Sequence, residues 1–366
     1  MSLKAGIIGL PNVGKSTLFN AITNQHILAE NYPFATIDPN VGVVNVKDVR
    51  LDRLTEMYEP KKTIPTSYEF TDIAGLVRGA SKGEGLGNKF LSHIREVDAI
   101  VEVVRCFDNG KIIHVDGNVD PIRDLETINL ELIISDLEMV TNRLGKISKR
   151  ALMSKDKQEK LEYELLEKIK TTLEKNEPVR HIDFKDDELK LLKSYNFLTI
   201  KPIIYVANID ESMIGLEDNS YIKEVKEYAK KENASVVVLC AKIEEELSEL
   251  SDIDKKDMLE ALGMNSSGLE QLISATYDLL GLATYFTVGK DEVRAWTFKK
   301  GMNAKKCAGI IHTDFEKGFI KAEVISYDDL MEYGSELKTR EAGKARIEGK
   351  DYIMQDGDIC HFRFNN

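Results

Sequence analysis

The octet Gly9-Leu10-Pro11-Asn12-Val13-Gly14-Lys15-Ser16 constrains this chain more than any other stretch of it. It fits G-x-x-x-x-G-K-[ST], and it stands between the apolar run Lys4-Ala5-Gly6-Ile7-Ile8 and the helical pattern of residues 17–22. A strand that turns through two glycines into a helix gathers backbone N–H groups at one spot, and the helix adds the positive end of its dipole there. That spot suits a phosphate. The residues expected to line it are Asn12, Val13, Gly14, Lys15, Ser16 and Thr17, with Lys15 reaching the β- and γ-phosphates and the Ser16 hydroxyl ligating Mg²⁺. The loop therefore implies an α/β fold, a P-loop nucleoside triphosphatase with a mainly parallel sheet and crossover helices.

The rest of the chain can be divided around that sheet. Strand candidates lie at residues 4–8, 67–71, 99–104, 202–207 and 235–240, with a long helical interruption before the last two. Within the interruption Leu125, Ile128, Leu132, Leu137, Val140 and Leu144 recur near the helical period, and Leu161, Leu165, Ile169 and Leu173 repeat every fourth residue. Two helices paired as an antiparallel hairpin, inserted at about residues 124–200, are expected. The hairpin tip, residues 145–157, carries Lys146, Lys149, Arg150, Lys155 and Lys157. Such a tip is either a solvated turn or a contact for RNA or an acidic partner. From Gly281 onward short β-rich runs at 285–288, 293–298, 322–325 and 359–364 predict a separate α+β domain. The expected division is thus 1–280 for the nucleotide domain and 281–366 for the second.

Charge limits the partners. Sixty-two acidic against fifty basic residues give a net charge of −12, so the summed field repels phosphate backbones and anionic lipid, and contact with nucleic acid has to be local. Specific DNA binding is not expected. No apolar run approaches the roughly 20 residues of a membrane helix, and no basic-then-apolar leader precedes the first strand, so a cytoplasmic location is expected. Cys106, Cys240, Cys307 and Cys360 are scattered singly and read as packing residues.

Two further pieces sense a γ-phosphate in proteins of this class. Thr36, in Asn31-Tyr32-Pro33-Phe34-Ala35-Thr36, can complete the Mg²⁺ shell; in Asp72-Ile73-Ala74-Gly75, Asp72 can hold a metal-bound water while the Gly75 N–H meets the γ-phosphate. Gly79, Gly83, Gly85 and Gly87 then crowd together as in a segment ordered by nucleotide. Guanine-selecting relatives carry Asn-Lys-x-Asp after a late strand, whereas this chain has Asn208-Ile209-Asp210-Glu211. The lysine is lost and the acid is one methylene longer, which weakens guanine selection; Asn208 offers the donor and acceptor of an adenine edge, and the alternative is that Glu211 substitutes for the aspartate. Cys240-Ala241-Lys242 falls where a last base-flanking loop is expected, a match of three residues only. Where a water-orienting glutamine is common, the chain has Leu76, so hydrolysis is either slow or served by another group among Arg78, His93 and His114. His114, on a loop after the third strand, is the candidate catalytic residue; otherwise it is an ordinary surface histidine.

Together these motifs, with Leu76-Val77-Arg78-Gly79-Ala80 following Gly75, resemble the YchF family, the Obg-like ATPases, and the stretches 294–297 and 312–318 look like that family's C-terminal TGS domain. The resemblance covers nearly the whole chain. It implies a switch that binds and hydrolyses ATP with Mg²⁺, a helical-hairpin insertion, and a β-grasp TGS domain over 281–366. It further implies adenine contacts from Asn208, Ile209 and Glu211 with Phe107 packing on the ring, a K⁺ ion ligated by Asn12, and association with the ribosome or its RNA as a monomer. Lysine and arginine pairs in the last domain, such as Lys299-Lys300 and Lys305-Lys306, are equally explained as scattered surface charge. The rival readings are a GTPase of the same fold and a nucleotide-gated binding module in which turnover is incidental.

Overall fold

The computed structural model describes residues 3–24, 40–73, 86–110, 112, 114–115, 117–153 and 156–365. Thr36, Gly75, Leu76 and Arg78 lie outside the described residues, as do Gly79, Gly83, Gly85 and Lys155. The chain forms two compact units, residues 1–43 with 69–272, and residues 44–68 with 273–366.

In chain order the first unit draws on β1 (Lys4–Ile8), α1 (Lys15–Asn24), β2 (Val41–Val46), and, beyond α2 (Val49–Tyr58) and β3 (Lys62–Ile64), on β4 (Thr66–Asp72), α3 (Leu86–Glu96) and β5 (Ala99–Arg105). Then come α4 (Pro121–Met153), α5 (Lys157–Leu173), α6 (Asp186–Leu192), β6 (Ile203–Asn208), α7 (Ser220–Lys231), β7 (Ser235–Leu239), α8 (Ala241–Ser248), α9 (Asp252–Ala261) and the start of α10 (Gly268–Leu279), whose residues from Ile273 on belong to the second unit. The sheet order is β2-β4-β1-β5-β6-β7, and the pairs β1/β4, β1/β5, β5/β6 and β6/β7 are parallel. Every residue of β5 and β6 is buried, as parallel strands covered on both faces require. The register sets Ile7 opposite Asp72 and Arg105 opposite Asn208, so the C-terminal ends of the strands converge on one edge of the sheet.

The hairpin is present, with α4 and α5 zipped along Ile133, Val140, Leu144, Leu165, Leu166 and Ile169. Its tip differs from the expected loop. α4 runs unbroken through Gly145 to Met153, so Lys146 and Lys149 are exposed on its last turns. Asp156 then starts α5 by accepting from the Gln158 N–H at 2.8 Å. One glycine costs a long helix only about 1 kcal/mol, less than the neighbouring good helix formers and the packing of Leu144 restore.

The second unit holds a mixed sheet, β11-β10-β12-β8-β9-β3, from β8 (Leu282–Thr287), β9 (Glu292–Lys299), β10 (Phe319–Ser326), β11 (Arg346–Glu348), β12 (Asp358–Phe364) and β3. One face packs Phe286, Val293, Ile325 and Ile359 against Leu51 and Leu54 of α2; the other packs Tyr285, Phe298 and Cys360 against α11 (Ala304–Ile311). The two compact units divide the chain differently from the expected boundary at 281. Residues 44–68 and 273–280 belong to the second unit, because β3 pairs in parallel with β9 and α2 buries its leucines on the second sheet. All four cysteines are free and buried, and burial pushes the Cys106 and Cys307 thiols up to about 12, which leaves them unreactive at neutral pH. Among the described residues no helix is long and apolar enough to cross a membrane.

Candidate nucleotide-binding site

The loop between β1 and α1 is shaped by two left-handed residues, Asn12 at φ 64° and Gly14 at φ 97°. The first is tolerable for asparagine, and the second favours glycine. Space demands glycine as well, since a Cβ on Gly14 would stand 2.1 Å from Asn208 Nδ2. α1 opens with the Leu18 N–H donating to the Gly14 carbonyl at 3.0 Å, and its first turn contains no acidic residue. An N-terminus free of negative charge and joined to a left-handed loop fits an anionic phosphate chain. Ser16 is exposed on that turn, and Val13 is buried behind it.

Lys15 and Asp72, far apart in sequence, are joined by the register of β1 and β4. Asp72 ends β4 opposite Ile7, its N–H donates to the Asn40 carbonyl at 2.8 Å, and its Oδ1 receives Lys15 Nζ in an ion pair. Both side chains are largely covered, with 11% and 21% exposure. The lysine is thus held over the loop by a carboxylate. The Ser16 hydroxyl and the Asp72 carboxylate are hard oxygen donors of the kind Mg²⁺ takes, the metal keeping waters and phosphate oxygens in its remaining positions.

The base end is built differently from its sequence expectation. Asn208, at the end of β6, is 5% exposed; its Nδ2 donates to the Val13 carbonyl at 2.8 Å, and its Oδ1 accepts from the Ala241 N–H at 2.9 Å. Two of its four hydrogen-bonding positions therefore tie the phosphate loop to the start of α8, and the carboxamide is not simply a reader of an adenine edge. Ile209 is buried, and its N–H donates to the Leu239 carbonyl at 2.9 Å. Asp210 accepts from the Ser212 N–H and hydroxyl at 3.1 and 2.7 Å, which holds its carboxyl below the usual range. Glu211 is half exposed and paired with Lys242 at 2.6 Å. The three-residue match around Lys242 gave no sign of this pairing.

Phe107 is half-buried, with the Arg105 guanidinium 4.8 Å from its ring centre. Arg105 itself, 1% exposed, donates to the carbonyls of Phe107, Asn109 and Ile112 at 2.9, 3.2 and 3.0 Å and so shapes the loop after β5. Sequence reasoning passed over this residue; a lone arginine closing an apolar strand was the available signal. His93 is exposed on α3. His114 is not a surface histidine. It is 4% exposed, and its Nε2 lies 2.8 Å from Oδ2 of Asp124 in the first turn of α4.

A family model described as 50S ribosome-binding GTPase matches residues 4–142, and the YchF-GTPase C-terminal model, described as a protein of unknown function, matches residues 282–365. The ribosome-binding ATPase YchF of Bacillus subtilis is 59% identical over 366 residues, covering 100% of both chains. That of Escherichia coli O157:H7 is 50% identical over 365 residues, again covering 100% of both. The solved structure of the Schizosaccharomyces pombe YchF GTPase matches with a TM-score of 0.90 at 42% identity, over 99% of this chain and 98% of that one. Full-length identity at this level, on a chain whose phosphate loop and strand order are those of a P-loop nucleotide-binding protein, makes this protein a member of the YchF family.

Proposed function

We propose that this protein is an ATP-hydrolysing switch that associates with the ribosome, gripping the triphosphate at residues 12–17 and altering its surface with nucleotide state. The observation that carries the reading is the Lys15–Asp72 pair above the left-handed loop. A triphosphate entering the loop offers Lys15 a stronger partner and frees Asp72 for a metal-bound water. Bound Mg²⁺ would offset the charge developing between the β- and γ-phosphates, and Thr36 and Gly75 are proposed to complete the grip. Asn12, exposed and left-handed, is the proposed K⁺ ligand.

Preference for ATP is supported by Glu211, whose carboxylate is engaged by Lys242 where guanine reading requires a free pair of acceptor oxygens. Ile209 and Phe107 then supply apolar contact for the ring. Ribosome association is supported by the names of the Bacillus subtilis and Escherichia coli relatives and by the exposed Lys146 and Lys149 on an otherwise acidic protein. His114 is the proposed water-placing residue, on the loop that leaves the phosphate edge of β5. The second reading, a GTPase, is favoured by the name of the Schizosaccharomyces pombe relative.

A competition titration separates the two. With Mg²⁺ present, ATP is expected to displace a fluorescent adenine nucleotide at least about tenfold more effectively than GTP, the discrimination that one lost paired contact supplies. Equal or better displacement by GTP overturns the ATP reading.

A further inference from the structure

The histidine proposed to place water stands where no bulk water reaches it. The His114 and Asp124 side chains are each 2% exposed, joined at 2.8 Å. Asp124 is fixed in turn: its N–H donates to the Asp120 carbonyl at 3.1 Å, Arg123 lies 3.5 Å from its Oδ1, and the next residue, Leu125, is fully buried. Glu102, in the middle of β5, is fully buried as well, with neither carboxyl oxygen accepting a hydrogen bond among the described residues. Burial raises Glu102 well above the usual carboxylate range, against the lowering field of Arg180 and with the smaller raising fields of Glu232 and Asp124.

The loop is anchored unevenly. Arg105 clamps the carbonyls of Phe107, Asn109 and Ile112, and that clamp ends two residues before His114. Beyond it, the Gly117 N–H donates to the His114 carbonyl at 3.1 Å, and Gly117 sits at φ 86° with no atom of the described residues within 4 Å of the position a Cβ would take. Arg105 therefore clamps the described chain as far as Ile112, and no described atom crowds the Cβ position of Gly117.

We infer that Asp124 is a latch on His114: it holds the imidazole in the interior, and hydrolysis requires the pair to open. This rests on the proposed water-placing role of His114. A buried hydrogen bond to a charged group keeps the open form a minor population, which is a physical source of slow turnover in the absence of a partner. Asp124 acts through the histidine and touches no reacting atom.

The test is single-turnover ATP hydrolysis by the full-length protein. Asp124→Asn keeps the shape of the side chain and removes its charge; the rate is expected to rise about tenfold, and the rise to vanish when His114→Ala is added. An unchanged or lower rate in Asp124→Asn, with His114→Ala impaired, overturns the latch and spares the histidine's role. An unimpaired His114→Ala overturns that role itself. A second measurement needs no variant. Diethyl pyrocarbonate modification, read by peptide mass spectrometry on the wild-type protein, is expected to be about fivefold or more faster at His114 when a non-hydrolysable ATP analogue and Mg²⁺ are present than when they are absent. Equal or slower modification overturns the latch.

Discussion

The phosphate end of the site and its base end are held by different parts of the polypeptide. At the phosphate end most determinants are local, with two left-handed residues, the start of α1 and one lysine within a few positions of one another, and only Asp72 is brought in from β4. At the base end they are long-range side-chain contacts, with Asn208 bonded to Val13 and Ala241 and Glu211 bonded to Lys242. The first arrangement follows from a short pattern, because backbone amides and a helix dipole depend on chain path alone. The second depends on which strands lie side by side. Asn208 joins the two ends, since the carboxamide proposed to meet the base also donates to the Val13 carbonyl in the proposed phosphate loop.

That comparison can be broken by substitution, beginning with the largest expected effect. Lys15→Ala should lower ATP affinity by about 100-fold or more, since a charge-assisted contact to the phosphates is lost, as measured by calorimetric titration; retained micromolar affinity contradicts the phosphate-end account. Gly14→Ala forces a Cβ into the left-handed region and against Asn208, so it should destabilise the protein by about 3 kcal/mol or more in urea unfolding while also weakening ATP. Asn208→Ala leaves the Val13 carbonyl and the Ala241 N–H without their partner; about 2 kcal/mol of stability should go, with ATP and GTP affinity falling together. A selective loss of ATP would instead make Asn208 chiefly a base reader. Smallest of all, Lys242→Ala breaks a half-exposed ion pair and should change stability by less than about 1 kcal/mol, but it frees Glu211 and should raise GTP affinity relative to ATP in the competition titration.

The same division explains what could be read from the chain before the fold. The strands at 4–8, 99–105 and 203–208 and the helices α4 and α5 announce themselves because their apolar periods are local and strong. Lys15 and Asp72 were both legible as site residues, but their pairing arises from the β1/β4 register. Residues 44–68 carried no such sign: Leu51 and Leu54 look like any amphipathic turn, and only the pairing of β3 with β9 makes them part of the second unit. Arg105 and His114 were hard to place for one reason. A polar side chain beside an apolar strand looks solvent-facing in sequence, yet each is buried by its own partners, three carbonyls for Arg105 and Asp124 for His114.

The central claim is that a triphosphate is held where β1 passes into α1 and takes Lys15 from Asp72. A crystal structure with a non-hydrolysable ATP analogue and Mg²⁺ tests it most directly. Phosphate oxygens should lie within hydrogen-bonding distance of the N–H groups of residues 13–17, with Lys15 Nζ on the β- and γ-phosphates and Asp72 turned to a metal-bound water. Analogue density elsewhere, or Lys15 still on Asp72 beside a bound analogue, would contradict the account.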